Sequence, residues 1–388
     1  MNMNTTIKQD NIEIIDQISL ERELSPNTKN LYNIALNSYS NFLGEPLAQL
    51  LEEAETEEDE GIRWKKRSIK KHLINYRNFL FNNYIKSTAK MYMTVVKTFY
   101  NHFEIELQKL PTVSEKNLKE NPPVQFEDIP TKNVIKDCCN VASPIMKSIL
   151  LFMSSSGCAR RETLNLTIHD FIEATKEYHN SSNIRDVIQE LHEEDTIVPT
   201  FYIRRQKTNK HYYTFCSPEA VKSILQYFNT IDKQLHEDDK LFMINERTFS
   251  RKFKELNTTL NYGKRGTHYK FTSHMLRKYH ATTLNNLPYF KDSEINFMQG
   301  RVPEHVTGIY LQQDPKILKE KYIQSLNHLQ VFWDSTSITI ESDEYKKVVN
   351  ENNNLKKEYN DNMLKLEKVE KLLSMKSDEE WLDLLNKI

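Results

Sequence analysis

Residues 196–215 read TIVPTFYIRRQKTNKHYYTF, a stretch of β-type pattern in a chain whose other apolar residues mostly recur at helical spacing. Tyr, Phe, Ile and Thr flank the polar break Lys207-Thr208-Asn209-Lys210 on both sides, which predicts a β-hairpin. Glycine is scarce, 7 residues in 388, as expected where helices dominate and turns are few. The fold class expected is therefore mainly α with a small β-sheet.

Outward from the hairpin the pattern turns helical. Residues 144–154, PIMKSILLFMS, form a strongly apolar helix too short to span a membrane, and 273–286 and 314–328 again read as helices. These segments belong to one domain of about 125–335. Pro111, Pro122 and Pro123 mark 109–124 as a linker. Before it, 11–108 reads as a helical domain. Ser25-Pro26-Asn27-Thr28 starts a helix with apolar Leu31, Ile34, Ala35 and Tyr39. Further helices are expected around 67–83 and 87–103, after an acidic insert, with Met91, Val95, Phe99 and Phe103 as a core stripe. In the tail, 343–388, Tyr345, Val348, Asn352, Leu355, Tyr359, Asn362, Leu366, Val369 and Leu373 step by three and four. That is a heptad seam, either a coiled coil between copies or one long helix packing on its own domain.

No stretch reaches the ~20 apolar residues of a membrane span, and Met1 to Asp10 lacks the apolar core of a signal peptide. A soluble, cytoplasmic protein is expected. Cys138, Cys139, Cys158 and Cys216 show no zinc-ligand spacing and are expected to be reduced and buried. The net charge of −1 hides strong segregation. Residues 52–60 hold seven acids, and 61–100 then hold ten Lys or Arg and no acid. Residues 251–280 carry eight basic residues against Glu255 alone. One basic run is ordinarily a solvated helix face. Two runs interleaved with aromatic residues point to phosphate-backbone contacts, with Lys65, Lys66, Arg67 and Lys70 in the first domain and Arg204 and Lys210 on the hairpin.

Breaking a phosphodiester without a metal needs an in-line nucleophile, cations on the non-bridging oxygens and an acid for the leaving 5′-oxygen. The parts occur in order. Ser156-Gly157-Cys158-Ala159-Arg160-Arg161-Glu162-Thr163-Leu164-Asn165-Leu166 is a glycine turn with arginines opening a helix. Arg204-Arg205-Gln206-Lys207-Thr208-Asn209-Lys210 lies on the hairpin. His274-Met275-Leu276-Arg277 puts His and Arg on one helix face. Gly300-Arg301 is followed by Tyr310. Taken singly, each has a plain structural reading; taken in order, they form a set. His280 and His305 have no motif support and are read as structural.

Over about 140–325 this set resembles the tyrosine recombinases of the phage-integrase family. The segments HMLRKYHATTL and QGR…GIY are closest to integrases of methanogenic archaea and their viruses. The resemblance implies that Arg160 and Arg277 clamp the scissile phosphate and that Lys207 protonates the 5′-oxygen. It implies that His274 assists proton transfer or holds the phosphate, and that Tyr310 is the nucleophile. It further implies a helical core-binding domain ahead of the catalytic one, double-stranded DNA as partner, a homo-tetramer on DNA, a DNA-bending accessory protein as a further partner, and no metal or other cofactor. Two positions depart from the family pattern. Three residues before Glu162 stands Ala159 instead of arginine; Arg160 is taken for the role, with Arg161 as the alternative. Arg301 stands where His or Trp is usual; it can donate to phosphate but cannot act as acid or base near neutral pH. The function expected is cutting and rejoining of DNA through a 3′-phosphotyrosine, integrating or excising a viral or mobile element, with resolution of chromosome dimers as an alternative role. The competing classes are a DNA-binding protein that has lost catalysis and a type IB topoisomerase-like relaxing enzyme.

Overall fold

The computed structural model describes residues 3–116, 118–194, 196–301 and 314–332. The chain divides between Pro123 and Val124 into two compact units, and the short segment Arg265–His268 groups with the first.

The first unit is helical: α1 (Met3–Glu21), α2 (Pro26–Leu43), α3 (Leu47–Asp59), α4 (Ser68–Asn83) and α5 (Lys86–His102). Its first helix begins ahead of the boundary expected at residue 11. α2 starts as its sequence predicts, with the Ser25 hydroxyl accepting from the Thr28 N–H and Pro26 in the first turn, and it ends at Gly44 in the left-handed region. The acidic run is not an insert. It is the second half of α3, where Ala54 faces the core and the acids either face water or tie down the start of α4. The Glu57 carboxylate accepts the Ser68 N–H at 2.9 Å, and Glu58 pairs with Arg67 at 3.1 Å. The expected stripe on α5 is also rotated. Met91 is exposed, while Ala89, Met93, Val96, Phe99 and Tyr100 are buried, so two of the four residues expected in the core sit at or near its edge. The centre of this unit is aromatic. Tyr39, Tyr76 and Tyr100 are fully buried, and the Tyr39 and Tyr100 hydroxyls satisfy each other at 3.0 Å.

In the second unit α6 (Lys132–Val141) precedes α7 (Pro144–Ser156), followed by α8 (Arg160–Asn165), α9 (Ile168–Thr175) and α10 (Ile184–Glu193). The expected hairpin comes next as β1 (Thr200–Arg205) and β2 (Lys210–Phe215), antiparallel, with Thr200 opposite Phe215 and Arg205 opposite Lys210. Then come α11 (Pro218–Phe228), α12 (Glu246–Thr259), a small hairpin of β3 (Lys264–Arg265) and β4 (His268–Tyr269), α13 (Ser273–Asn285), α14 (Asp292–Met298), α15 (Pro315–Gln324) and α16 (Leu326–Leu329). Among the described residues the fold is mainly helical with two small antiparallel sheets.

α7 is the axis of this unit. Every residue from Ser148 to Ser156 is buried, as befits a helix apolar nearly all round, and α11 and α13 pack against it. Its serines stay dry because each hydroxyl finds a partner nearby; the Ser148 hydroxyl, for example, donates to the Ser223 carbonyl at 2.7 Å. The four cysteines are free and buried, and burial raises each thiol pKa, which leaves them protonated at neutral pH. Among the described residues no helix is long and apolar enough to cross a membrane.

Candidate active site

α7 ends at Gly157, whose φ of +65° closes the helix through an N–H to Met153 carbonyl bond of 3.1 Å. A side chain there is excluded twice over. The backbone is left-handed, and a Cβ would fall 2.5 Å from Nδ1 of His280. The tight turn leaves the Gly157 carbonyl pointing inward, where Nη1 of Arg277 donates to it at 2.6 Å. Nη2 of Arg277 donates to the carbonyl of Gln299, just beyond α14. Arg277 is 4 % exposed and ties the end of α7 to the end of α14 through two buried carbonyls.

Gln299 completes a small buried network. Its side-chain amide donates to the Arg277 carbonyl and to Nδ1 of His280, each at 3.0 Å. Accepting at Nδ1 puts the imidazole proton on Nε2 and keeps the ring neutral. Full burial, with Arg277 and Arg301 close by, drives the His280 pKa down to about 3. His280 is thus held as a neutral imidazole inside this buried network.

This histidine makes stability depend on pH. Its folded-state pKa lies below the unfolded value, so the folded state binds fewer protons. Stability is full above pH 6.5 and falls with pH from there toward about 3. The slope from one such group is roughly 1.4 kcal/mol per pH unit, or about 2 kcal/mol between pH 6.5 and pH 5. Urea unfolding of wild type and His280→Gln at both pH values checks this: the variant should lose the larger part of that slope. An equal slope in both proteins would place the acid sensitivity elsewhere.

Around Arg277 other cations gather. Gly300 sits at φ +63°, and Arg301 comes directly after it, half-buried, its N–H donating to Asn296. Burial lowers the Arg301 pKa, and the nearby Arg205 adds to that. His274, in the first turn of α13, is exposed; partial burial of its ring, then Lys278, Arg301 and Arg277, hold it below its ordinary pKa. His274, Arg277 and Arg301 thus belong to one electropositive cluster.

The remaining expected residues lie differently. Arg160 does not join the cluster. It turns to α12, where Nη2 meets the Glu246 carboxylate at 2.5 Å and Nη1 reaches the Ser250 hydroxyl at 3.5 Å. Glu246 opens α12 and offers an exposed acid beside the short helix α8, so the guanidinium pairs there at the surface. Lys207 is exposed in the hairpin turn, and Lys210 is exposed at the start of β2. Arg204 is exposed on β1, with Nε donating to Asn209 at 2.6 Å. Tyr310, His305 and the heptad seam lie outside the described residues.

In the first unit Lys65, Lys66 and Lys70 line one shallow concavity with Lys71 and His72. Arg67 also borders it, but its side chain is only 10 % exposed: it pairs with Glu58 and donates to the Ile62 carbonyl.

Two residues of the site had no assigned role in the sequence. Gln299 carries the network beneath Arg277. Arg205 donates from Nη1 to the Gly300 carbonyl, and its Nε lies 3.9 Å from the buried Glu162 carboxylate. A signal for Arg205 was present. It has the same strand parity as Phe201 and Ile203, which are buried, whereas Tyr202 and Arg204 are exposed.

No protein-family model and no curated protein matches the chain. Among solved structures, the XerA recombinase is 18 % identical and covers 83 % of this chain and 98 % of its own, at a TM-score of 0.33. The XerH site-specific recombinase bound to difH substrate is 13 % identical over 79 % of this chain and 82 % of its own, at 0.44. The integrase from mycobacterium phage Brujita is 13 % identical over 82 % and 91 %, at 0.30.

Proposed function

We propose that this chain is a tyrosine-type site-specific DNA recombinase that integrates or excises a viral or mobile element. The observation that carries the reading is the convergence of Arg277, Arg301 and His274 around the ends of α7 and α14, with Arg277 nearly fully buried against backbone carbonyls. Burial and the neighbouring Arg301 lower the Arg277 pKa to about 10, so it remains charged at neutral pH. Like charges held together at partial burial are costly unless an anion joins them, and the planar fork of arginine matches a phosphate.

In the reaction the Tyr310 oxygen, its proton lost, attacks phosphorus as the bond to the 5′-oxygen breaks. Lys207 gives that oxygen its proton. Arg277 and Arg301 hold the non-bridging oxygens as charge builds on them, and His274 either takes the proton that Tyr310 gives up or donates to a non-bridging oxygen. The bond energy stays in a 3′-phosphotyrosine, so resealing by another 5′-hydroxyl is the same reaction reversed and consumes no nucleotide. The basic concavity of the first unit suits duplex phosphates. Lys70 and Lys71 crowd the N-terminal turn of α4, where cations oppose the helix dipole and an anion relieves both.

Nicked suicide duplexes, which release the 5′-fragment on cleavage, test the reading. Accumulating adducts together with recombinant joints support a recombinase. Relaxation of any supercoiled plasmid without joints points to a topoisomerase-like enzyme, and tight binding without adducts to a binding protein. The acid is checked separately. Lys207→Ala should lose about 10²-fold or more in cleavage on ordinary DNA, the usual contribution of a general acid. A 5′-bridging phosphorothiolate, whose thiolate leaves unprotonated, should restore it; failure to restore would move the acid to another residue.

A further inference from the structure

We propose that Arg205, at the end of β1, is the second phosphate-binding guanidinium of this site, in place of an arginine from the loop after Gly157. The proposal rests on the reading of the site as one for a DNA phosphodiester.

Three guanidiniums meet at one turn. The Gln299 carbonyl accepts from Arg277, the next carbonyl, Gly300, accepts from Arg205, and the residue after that is Arg301. Consecutive carbonyls therefore fix two arginines from different elements, α13 and β1, beside a third. Gly300 makes this approach possible. A Cβ there would fall 2.8 Å from the Tyr212 ring and 3.2 Å from Cδ of Arg205, so a side chain would clash with the tyrosine and crowd the strand's arginine. Glu162 braces the guanidinium from the other side. Its carboxylate is 8 % exposed, and its Oε1 is 3.9 Å from Nε of Arg205.

The alternatives are placed elsewhere. Ala159 has no charge to give, Arg161 is exposed, and Arg160 is paired with Glu246 on α12. Arg205 is anchored through Nη1 on the Gly300 carbonyl, and its Nε lies at ion-pair distance, 3.9 Å, from the Glu162 carboxylate. Its side chain is 21 % exposed, enough for its other N–H groups to meet a ligand while Nη1 stays fixed. Such an anchored donor suits catalysis, because nothing need reorganise as charge develops on phosphate. The electrostatics agree: Arg205 acts on both Arg277 and Arg301, and all three are relieved by one shared anion.

The test compares Arg205→Ala, Arg205→Gln and Arg160→Ala with wild type on nicked suicide duplexes. Urea unfolding and duplex affinity are measured alongside. Glutamine keeps a donor for the Gly300 carbonyl without the charge, which covers the case where alanine does not fold. Both Arg205 variants should cleave roughly 10²-fold more slowly, the usual cost of one transition-state donor, and Arg160→Ala should stay within about threefold of wild type. The same variants then meet a duplex whose scissile phosphate is a methylphosphonate, with one non-bridging oxygen replaced by an uncharged methyl. There the Arg205 deficit should shrink to less than about tenfold, because little anionic charge is left to stabilise. A deficit unchanged on methylphosphonate would make Arg205 a purely structural residue, and unimpaired Arg205 variants beside a crippled Arg160→Ala would return the role to Arg160. Either outcome overturns the assignment while leaving the recombinase reading intact. No adducts from wild type would reject that reading itself, and the Arg205 role with it.

Discussion

Replacing Tyr310 with Phe should remove covalent protein–DNA adducts altogether, while duplex affinity changes by less than about tenfold, the most that one neutral hydrogen bond is worth. The chemical argument is direct. Phenylalanine keeps the ring and its packing but has no oxygen to bond to phosphorus, and no neighbouring water can form a linkage that stays on the protein. Adduct yield on nicked duplexes and gel-shift affinity, measured on the same preparations, give both numbers. Adducts persisting in Tyr310→Phe would transfer the nucleophile to another of the 19 tyrosines.

The second large effect is expected at Arg277. Alanine there removes two charge-assisted donors and leaves the carbonyls of Gly157 and Gln299 buried without a partner, at about 1–3 kcal/mol each. The fold should therefore lose roughly 2–6 kcal/mol and cleavage about 10³-fold or more, since the transition-state charge loses its most buried cation. Arg277→Lys separates the two effects. It restores a charge but replaces the planar fork with a point donor, so it should recover part of the stability while cleavage stays depressed by about 10²-fold. Urea unfolding beside single-turnover cleavage resolves these contributions. Full activity in Arg277→Lys would mean that charge alone suffices and that the fork geometry has no part in the chemistry.

Much of this arrangement was legible in the sequence, for physical reasons specific to each element. The hairpin read correctly because alternation and a polar turn coincide at 196–215, and the helix beginning at Pro26 announced itself through Ser25 and proline. α7 was plain from its apolar run. His274 and Arg277 lie three residues apart on α13, His274 exposed in the first turn and Arg277 buried one turn further in. The misses came from neighbours that a linear reading does not see. The acids of 52–60 look like an insert until Glu57 and Glu58 are placed against Ser68 and Arg67. Met91 matched a four-residue repeat, but the true core face of α5 runs through Ala89, Met93, Val96 and Tyr100. Arg160, expected at the site, has the Glu246 carboxylate within reach across α8 and α12, a neighbour that the linear sequence does not show. Arg205 was passed over for Arg204, although a shift of one residue along a strand exchanges the solvent face for the core face. The network of Arg277, Gln299 and His280 spans residues 19 to 22 apart in sequence and shows no local periodicity.

The central claim, a transient bond between a DNA phosphate and Tyr310, is tested most directly by mapping the trapped species. Wild-type protein is incubated with nicked suicide duplexes spanning the flanks of its own gene, adducts are isolated under denaturing conditions, and the DNA-bearing peptide is sequenced. The predicted result is a phosphotyrosine at Tyr310 with a free 5′-hydroxyl on the released strand. Tight binding to the same duplexes with no adduct, or an adduct mapped to any other residue, would contradict it.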